Sequence, residues 1–475
     1  MKKILCIIAL LFASVSLAAC GGNDSGVVEG KTTITFWHAM GQANQAIIQE
    51  MIDSFEQAYP MFEVEQLSQG GYTDLRDKIL YSVPVGEAPT IAQAYPDHIA
   101  SYLSARALTS LEGYIDDTAS VASKINYVDD PSWAETAVAT EQVGWTQADK
   151  DDFVSAFYAE GSVYGDGKMY CVPFNKSTEV LFYNKDFFQA YATELAKYGV
   201  QADGTWRNPT WEQIEGIAAF YKTTAEYNSL EASLKATAAG FSADSEANLF
   251  ITLTQQWGGK YTGFDANGKG QYLFNNAESK EAIGWFAENY EAGLFGTSTR
   301  FGTDYSSDAF KAMQCIMTIG SSAGASYNTT SNFVTGVAEY PQRADGQNKN
   351  VIQQGTNVCL FDKDNDLEEL GGWLFMKWMT NFDNALLWCT ETAYFPIRES
   401  VYNSAEFQAS VSDGTTKSQA QLVGWSQQEL FYTSEAFNGS SKARDEAEAL
   451  VRAILVGTPI DEAYATAIKN CNALV

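Results

Sequence analysis

Residues 32–67 read TTITFWHAMGQANQAIIQEMIDSFEQAYPMFEVEQL, and their hydrophobic period changes twice. Thr32 to Trp37 alternates and is rich in β-branched and aromatic residues, the pattern of a strand. After Gly41, the residues Ile47, Ile48, Met51, Ile52 and Phe55 recur at helical spacing, and Tyr59-Pro60 stops the helix. Phe62 to Leu67 alternates again, Tyr72 to Tyr81 returns to helical spacing through Leu75 and Ile79, and Pro89 to Tyr95 is another short apolar run. This order predicts an α/β layer architecture with a mainly parallel sheet, in which ligands sit beyond the carboxyl ends of the strands.

The same reading continues outward. Strands are predicted at Met169 to Pro173, Glu179 to Tyr183 and Cys315 to Ile319, with helix starts at Pro209-Thr210-Trp211 and Asn276. Near the end, Ser440 or Ser441 can cap a helix with the apolar stripe Ala447, Leu450, Val451, Ile454 and Leu455, closed by Gly457; Thr458-Pro459 starts another. No repeat or low-complexity block interrupts the chain. At 475 residues it exceeds the roughly 100–200 residues of one domain, so two or three packed units are expected.

Before this body lies a secretory signal, with Lys2 and Lys3 followed by an apolar stretch from Ile4 to Ser16 that is too short to span a bilayer. Leu17-Ala18-Ala19-Cys20-Gly21 looks like the lipobox of bacterial lipoproteins, which makes residues 1–19 the signal and Cys20 the acylated N-terminus. The alternative is an ordinary small-residue cleavage site. Gly21 to Gly30 reads as a flexible tether, so that residues 20–30 hold the body at a membrane surface. The most apolar later segment, Gly371 to Cys389, contains Lys377, Asn381 and Asp383 and reads as a buried helix.

Composition narrows the chemistry. Thirty Lys plus Arg against 59 Asp plus Glu give a net charge of -29, which repels nucleic acid and anionic lipid. Only His38 and His98 are available for histidine chemistry. Five cysteines remain in the body, widely spaced and without a CxxC pair, and read as buried thiols rather than a metal site. Asp362 to Asp366 resembles the start of a calcium loop but has Leu367 where the glycine should follow, so it reads as a solvated turn. Among the 59 acids no spacing singles out a glycosidase pair.

Two features carry more information. Gly320-Ser321-Ser322-Ala323-Gly324 matches the G-x-S-x-G elbow of α/β-hydrolases, but both histidines precede residue 100, so Ser322 lacks the downstream base of that fold. The competing readings are an anion-binding turn that uses the hydroxyl of Ser321 and a plain turn. Arg444 falls in the first turn of the predicted terminal helix, where the macrodipole disfavours a cation, and three and seven residues before Ala447 and Val451 of the core stripe. An inward guanidinium needs an anionic partner, which is either an Asp or Glu of this chain or a bound phosphate or carboxylate.

Several segments, in order, are similar to one family. They are Ile34-Thr35-Phe36-Trp37-His38, Ala88-Pro89-Thr90-Ile91, Pro173-Phe174-Asn175-Lys176-Ser177-Thr178, Leu181-Phe182-Tyr183-Asn184-Lys185-Asp186, Met317 to Ser322, Gly355 and Tyr394-Phe395-Pro396-Ile397. Through them the chain resembles the extracellular solute-binding proteins of ABC importers, in the maltose-binding class, and most closely the members that bind sn-glycerol-3-phosphate. The resemblance implies a two-lobed periplasmic-binding-protein fold of type II with a ligand cleft between the lobes. One lobe takes residues 31–177 with 357–393, and the other takes 178–356 with 394–475. It further implies a monomer that is not an enzyme, uses no cofactor or metal, and hands a small molecule to a membrane permease. The site residues carried over are Tyr72, Ser177, Ser321, Gly355, Tyr394 and Arg444. The family's glutamate after the Gln-x-Tyr strand is replaced here by Pro96, which makes Asp97 the candidate in its place, and Phe241 stands where a tryptophan platform is common. The ligand implied is glycerol-3-phosphate or a glycerophosphodiester, with a neutral sugar or oligosaccharide as the alternative and surface carbohydrate hydrolysis as a remote one.

Overall fold

The computed structural model describes residues 26–473, so the signal segment and Cys20 lie outside the described residues. The predicted opening forms as read. Strand Thr32–His38 pairs in parallel with Phe62–Ser68 and Ile91–Ala94, and helix Gln42–Ala58 covers them with Ile48, Met51, Ile52 and Phe55 buried. This half closes around one apolar cluster that includes Phe36, Phe55, Trp373 and Phe375. A second cluster is built on Phe241–Ala243, Phe295–Thr297 and Met317–Ser321, again mutually parallel, and on the stripe Ala447, Leu450, Val451 and Ile454 of helix Ser440–Leu455.

Two long strands join the halves. Cys171–Asn184 and Val351–Leu360 run antiparallel to each other, and each starts in one half and ends in the other. One sheet therefore traverses both lobes; the three strands named in each lobe pair in parallel, and the two crossing strands run antiparallel to each other and to their neighbours Ile91–Ala94, Met317–Ser321 and Thr335–Ala338. The two strands expected at 169–173 and 179–183 are one continuous strand. Its polar centre, Asn175 to Thr178, looks like a break in sequence but is fully buried, because each polar side chain there finds a partner: Gln93 for Asn175, Glu160 for Lys176, Ser321 for Ser177 and the Ile352 carbonyl for Thr178.

Three further expectations are corrected. Residues 26–28, expected within the tether, form a short strand parallel to Ile125–Tyr127, with Val28 buried in the first cluster. The chain after 394, expected with the second lobe, places Phe395, Ile397, Val401, Phe407 and Val411 in the first cluster. Helix Ser440–Leu455 is preceded by Gly439 at φ 108°, not capped by a serine side chain. Elsewhere the cap signals hold: Thr210 forms a capping box with Gln213, and Asn276 caps Ala277–Glu291. Among the described residues no helix is long and apolar enough to cross a membrane. The segment 371–389 is divided between helices Asp366–Met379 and Phe382–Glu391, with Asn381 capping the second.

Candidate functional site

The site is built around the place where the crossing strands meet. Gly355 lies opposite Lys176 with φ 87°, and a Cβ on it would stand 1.9 Å from the carbonyl oxygen of Asn175. Only glycine lets the two backbones approach this closely. Beside it the Lys176 ammonium, fully buried, pairs with the Glu160 carboxylate and donates to the Gly355 carbonyl at 3.3 Å. Asn357 also donates to Glu160, at 2.7 Å, so the buried pair is neutralised and hydrogen bonded at the pivot.

From this pivot the tyrosines are set. Asn175 donates to the Tyr72 hydroxyl at 3.3 Å and accepts from Gln93 at 3.2 Å and from Thr356. The Tyr72 and Tyr95 rings meet edge to face at 5.0 Å. Burial, aided by the neighbouring Tyr394, drives the Tyr72 and Tyr95 phenols above the ordinary value, and burial does the same for Tyr394, so all three are neutral groups able to donate.

Between the lobes lies a cleft of about 650 Å³, faced by Tyr72, Asn175 and Tyr394 on one side and by Asp244, Ser321 and Tyr327 on the other, with Ser177 and Gly355 on the crossing strands. The Ser321 hydroxyl reaches that of Ser177 at 3.3 Å. Tyr95, Gln354 and Gly355 also belong to an adjoining alcove of about 90 Å³, where Asn248, Tyr261, Gln353, Ser434 and Arg444 converge. Asp97 borders the alcove as well, and a third recess, of about 160 Å³, brings Asp97, Ser441 and Arg76 to the other side of Arg444.

The electrostatics of the alcove centre on Arg444. Its guanidinium donates to the Asn248 side-chain oxygen at 2.6 Å and makes no ion pair within 4.0 Å among the described residues. Asn248 in turn donates to Glu179 at 3.2 Å. Burial pushes the Glu179 carboxyl up to about 8, against the pull of Asn248, so near neutral pH this group carries little charge with which to satisfy Arg444. Glu160 and Glu435 also line the alcove and Asp445 the recess beyond Arg444; burial pushes the Asp97 carboxyl upward, but His98, Arg444 and the Ser441 hydroxyl outweigh it and hold Asp97 below the ordinary carboxylate value. The Ser441 hydroxyl donates to Asp97 at 2.7 Å, a direct bond between the lobes. Around Arg444, the Tyr261 hydroxyl, the Ser434 hydroxyl and both amide atoms of Gln353 are buried without a hydrogen-bond partner among the described residues. Such groups are costly unless something polar meets them.

Of the residues singled out in the sequence, Tyr72, Asp97, Ser177, Ser321, Gly355, Tyr394 and Arg444 are therefore brought to one interlobe space. Phe241 is not. Its strand is central to the second lobe, and its ring is fully buried between Trp211 at 5.6 Å and Phe295 at 5.1 Å, so it is a core residue, not an exposed platform. The residue of that strand segment which reaches the cleft is Asp244, just beyond its end. Ser322 is also buried, and its hydroxyl accepts from the Thr178 N–H at 3.3 Å. Neither His38, bonded to Gln66, nor His98, beside Asp97, is hydrogen bonded to Ser322 among the described residues. Sequence reasoning missed Tyr95, Asn248, Tyr261, Gln353 and Ser434. Gln353 could have been found from its place two residues before Gly355, whereas Tyr261 and Ser434 come from separate segments with no local signature.

Comparison with known proteins places the chain in a family and agrees with the two-lobed fold. The family model for bacterial extracellular solute-binding proteins matches residues 50–412. The chain is 24% identical over 404 residues to the sn-glycerol-3-phosphate-binding periplasmic protein UgpB of Escherichia coli K12, which covers 83% of this chain and 80% of that protein. Among solved structures, UgpB from Mycobacterium tuberculosis in complex with glycerophosphocholine superposes with a TM-score of 0.68 at 15% identity, over 94% of this chain and 98% of that one. An ABC substrate-binding protein from Listeria monocytogenes in complex with cycloalternan gives 0.69 at 19% identity, over 93% and 98%. These likenesses to solved structures establish the shared two-lobed fold.

Proposed function

The chain belongs to the bacterial extracellular solute-binding protein family, and from that premise we propose that it captures a glycerol phosphate, as the monoester or as a glycerophosphodiester, and delivers it to an ABC permease. The observation that carries this reading is Arg444, an inward guanidinium without an anionic partner among the described residues, set in an alcove with unpartnered Tyr261, Ser434 and Gln353 side chains. A phosphate held there takes bidentate bonds from Arg444 and hydroxyl donors from Tyr261 and Ser434. Each charged hydrogen bond contributes about 1.5–3 kcal/mol, and micromolar affinity needs about 8 kcal/mol in all. The adjoining cleft of about 650 Å³ is within the range that suits a drug-sized molecule, which favours a diester whose second alcohol extends past Tyr72 and Tyr394. The name of the relative in Escherichia coli and the ligand bound by the relative in Mycobacterium tuberculosis support the same ligand class.

The second reading, a neutral sugar or oligosaccharide, is favoured by a different observation. The cleft carries five tyrosines, Tyr72, Tyr95, Tyr305, Tyr327 and Tyr394, of which Tyr305 and Tyr327 are exposed, and the carboxylates Asp244 and Asp308 face the same space. Aromatic faces and carboxylates suit sugar rings and their hydroxyls.

Calorimetry on ligand-stripped protein separates the two. Glycerol-3-phosphate or glycerophosphocholine binds, maltose does not, and Arg444→Ala weakens phosphate binding about 100-fold or more, the loss of two charged hydrogen bonds. Undiminished binding by Arg444→Ala overturns the phosphate reading. The protein acts as a monomer attached to the cell through lipid on Cys20, with the crossing strands as its hinge, and Cys20→Ser releases it into the medium.

A further inference from the structure

The cysteines of the body, Cys171, Cys315, Cys359, Cys389 and Cys471, are buried and unbridged, but two of them face each other. Cys171 and Cys359 are register partners on the two crossing strands, at the ends that enter the first lobe. Register partners in an antiparallel pair project from the same face of the sheet, and both thiols lie fully buried in one apolar cluster.

The type of pairing follows from the chain. Pro173, partner of Asn357, has no N–H and cannot complete a hydrogen-bonded pair, so 173 and 357 form a narrow, non-hydrogen-bonded one. Pair types alternate, which makes Cys171 and Cys359, two positions along, narrow as well. An independent bond agrees: the Phe361 N–H donates to the Thr90 carbonyl, on the side of the strand away from Cys171, and the Cys359 N–H points the same way two residues earlier. In narrow pairs the Cα atoms stand about 4.5 Å apart, inside the roughly 4.4–6.8 Å that a disulfide spans. The other three cysteines lack such a partner, since Cys315 precedes its strand and Cys389 and Cys471 are helical.

We infer that Cys171 and Cys359 are a cross-strand disulfide site that fastens together the first-lobe ends of the two hinge strands. The oxidant is a small-molecule disulfide. The thiolate of Cys171 attacks one of its sulfurs and expels a thiol, and the Cys359 thiolate then attacks the Cys171 sulfur, forming the Sγ–Sγ bond and releasing the second thiol. Two protein thiols are oxidised and one oxidant disulfide is reduced to two thiols. In the packed state Cys171 contacts the Tyr164 hydroxyl at 3.4 Å and Cys359 the Ala92 carbonyl at 3.5 Å, and burial raises both thiols, so few thiolates exist. The bridge therefore forms during folding, before the cluster closes, in the oxidising surroundings where an extracellular protein matures. It leaves the polar crossing at Asn175 to Thr178 and Gly355 as the part of the hinge that can bend.

The test is refolding of the full chain from denaturant with oxidised glutathione, followed by digestion without reduction and peptide mapping. The expected product is one peptide pair joining Cys171 to Cys359, lighter by two hydrogens, with two fewer titratable thiols than a sample refolded under reductant. Cys359→Ser abolishes the link and frees Cys171 for titration, and Cys389→Ser keeps the link. A full complement of free thiols, glutathione retained at either position, or bridges scattered among the other cysteines would each overturn the inference.

Discussion

Replacing Gly355 by alanine puts the central geometric feature under direct load. The new Cβ would meet the Asn175 carbonyl oxygen at 1.9 Å and the Lys176 Cα at 2.8 Å, both backbone atoms of the partner strand that no rotamer change can move. To restore a tolerable contact of about 3.0 Å the strands must part by about 1.1 Å at a fully buried crossing, starting from 1.9 Å. The left-handed φ of 87° adds about 1 kcal/mol for alanine, and displacement of packed neighbours about 1–3 kcal/mol, so the expected destabilisation is about 2–4 kcal/mol. Urea unfolding followed by tryptophan fluorescence reads this as a lower midpoint at unchanged slope. Asparagine is the informative companion, because it tolerates left-handed φ but carries the same Cβ. If the collision with Asn175 dominates, Gly355→Asn falls as far as Gly355→Ala; if φ alone matters, asparagine recovers most of the loss. An alanine variant within about 0.5 kcal/mol of the parent would refute the close-approach argument altogether.

Three other perturbations reach different parts of the site. Lys176→Met leaves the Glu160 carboxylate buried opposite Asn357 without its cation, which is expected to cost about 3–5 kcal/mol in urea, and adding Glu160→Gln should return most of it. The Glu179 carboxyl, raised to about 8 from an ordinary 4.5, favours the folded state as its neutral form, so its contribution is full below about pH 4.5 and is lost as pH climbs through about 8. Glu179→Gln keeps the neutral form, and unfolding curves should show it matching the parent near pH 4.5 and exceeding it by a few kcal/mol above about pH 8; equal pH profiles for the two proteins would contradict the assignment. Ser441→Ala removes the bond to Asp97 across the lobes and should weaken ligand affinity about 5- to 30-fold, with a larger radius of gyration in X-ray scattering of the unloaded protein.

The parts of the molecule legible in sequence are those where one local rule dominates. The stripe Ile48, Met51, Ile52 and Phe55 has a single amphipathic solution, and Thr210 with Gln213 forms the box that its spacing announces. Arg444 was legible for the opposite reason: a cation close to the start of a helix and in line with core residues breaks the usual pattern and so points to a functional site, although the observed helix begins at Ser440 and puts Arg444 just past its first turn. Asn175 to Thr178 misled because polarity usually marks a break, whereas here Gln93, Glu160, Ser321 and the Ile352 carbonyl, all distant in sequence, satisfy it. Phe241 misled because a family position was carried over without its burial, which depends on Trp211 and Phe295 packing on either side. Tyr261 and Ser434 carried no signal, since their meaning lies in meeting at Arg444.

The same contacts bear on how the cleft is governed. Across the lobes, Ser441 meets Asp97, and Thr433 meets Glu160 at 3.3 Å, near the limit for a hydrogen bond. Contacts of this kind contribute about 1–3 kcal/mol each at most, too little to hold an empty protein shut by a wide margin. Moving a two-state equilibrium from 1:99 to 99:1 takes about 5.5 kcal/mol of differential binding. A phosphate that bonds Arg444 on one lobe while its ester group meets Tyr72 on the other can supply that difference, because only the closed arrangement offers both. A ligand confined to the tyrosine side leaves Arg444 unsatisfied and gains less from closure. On the phosphate reading proposed above, the guanidinium links selectivity to shape, because an anion is the ligand whose binding energy would depend most on the lobes coming together.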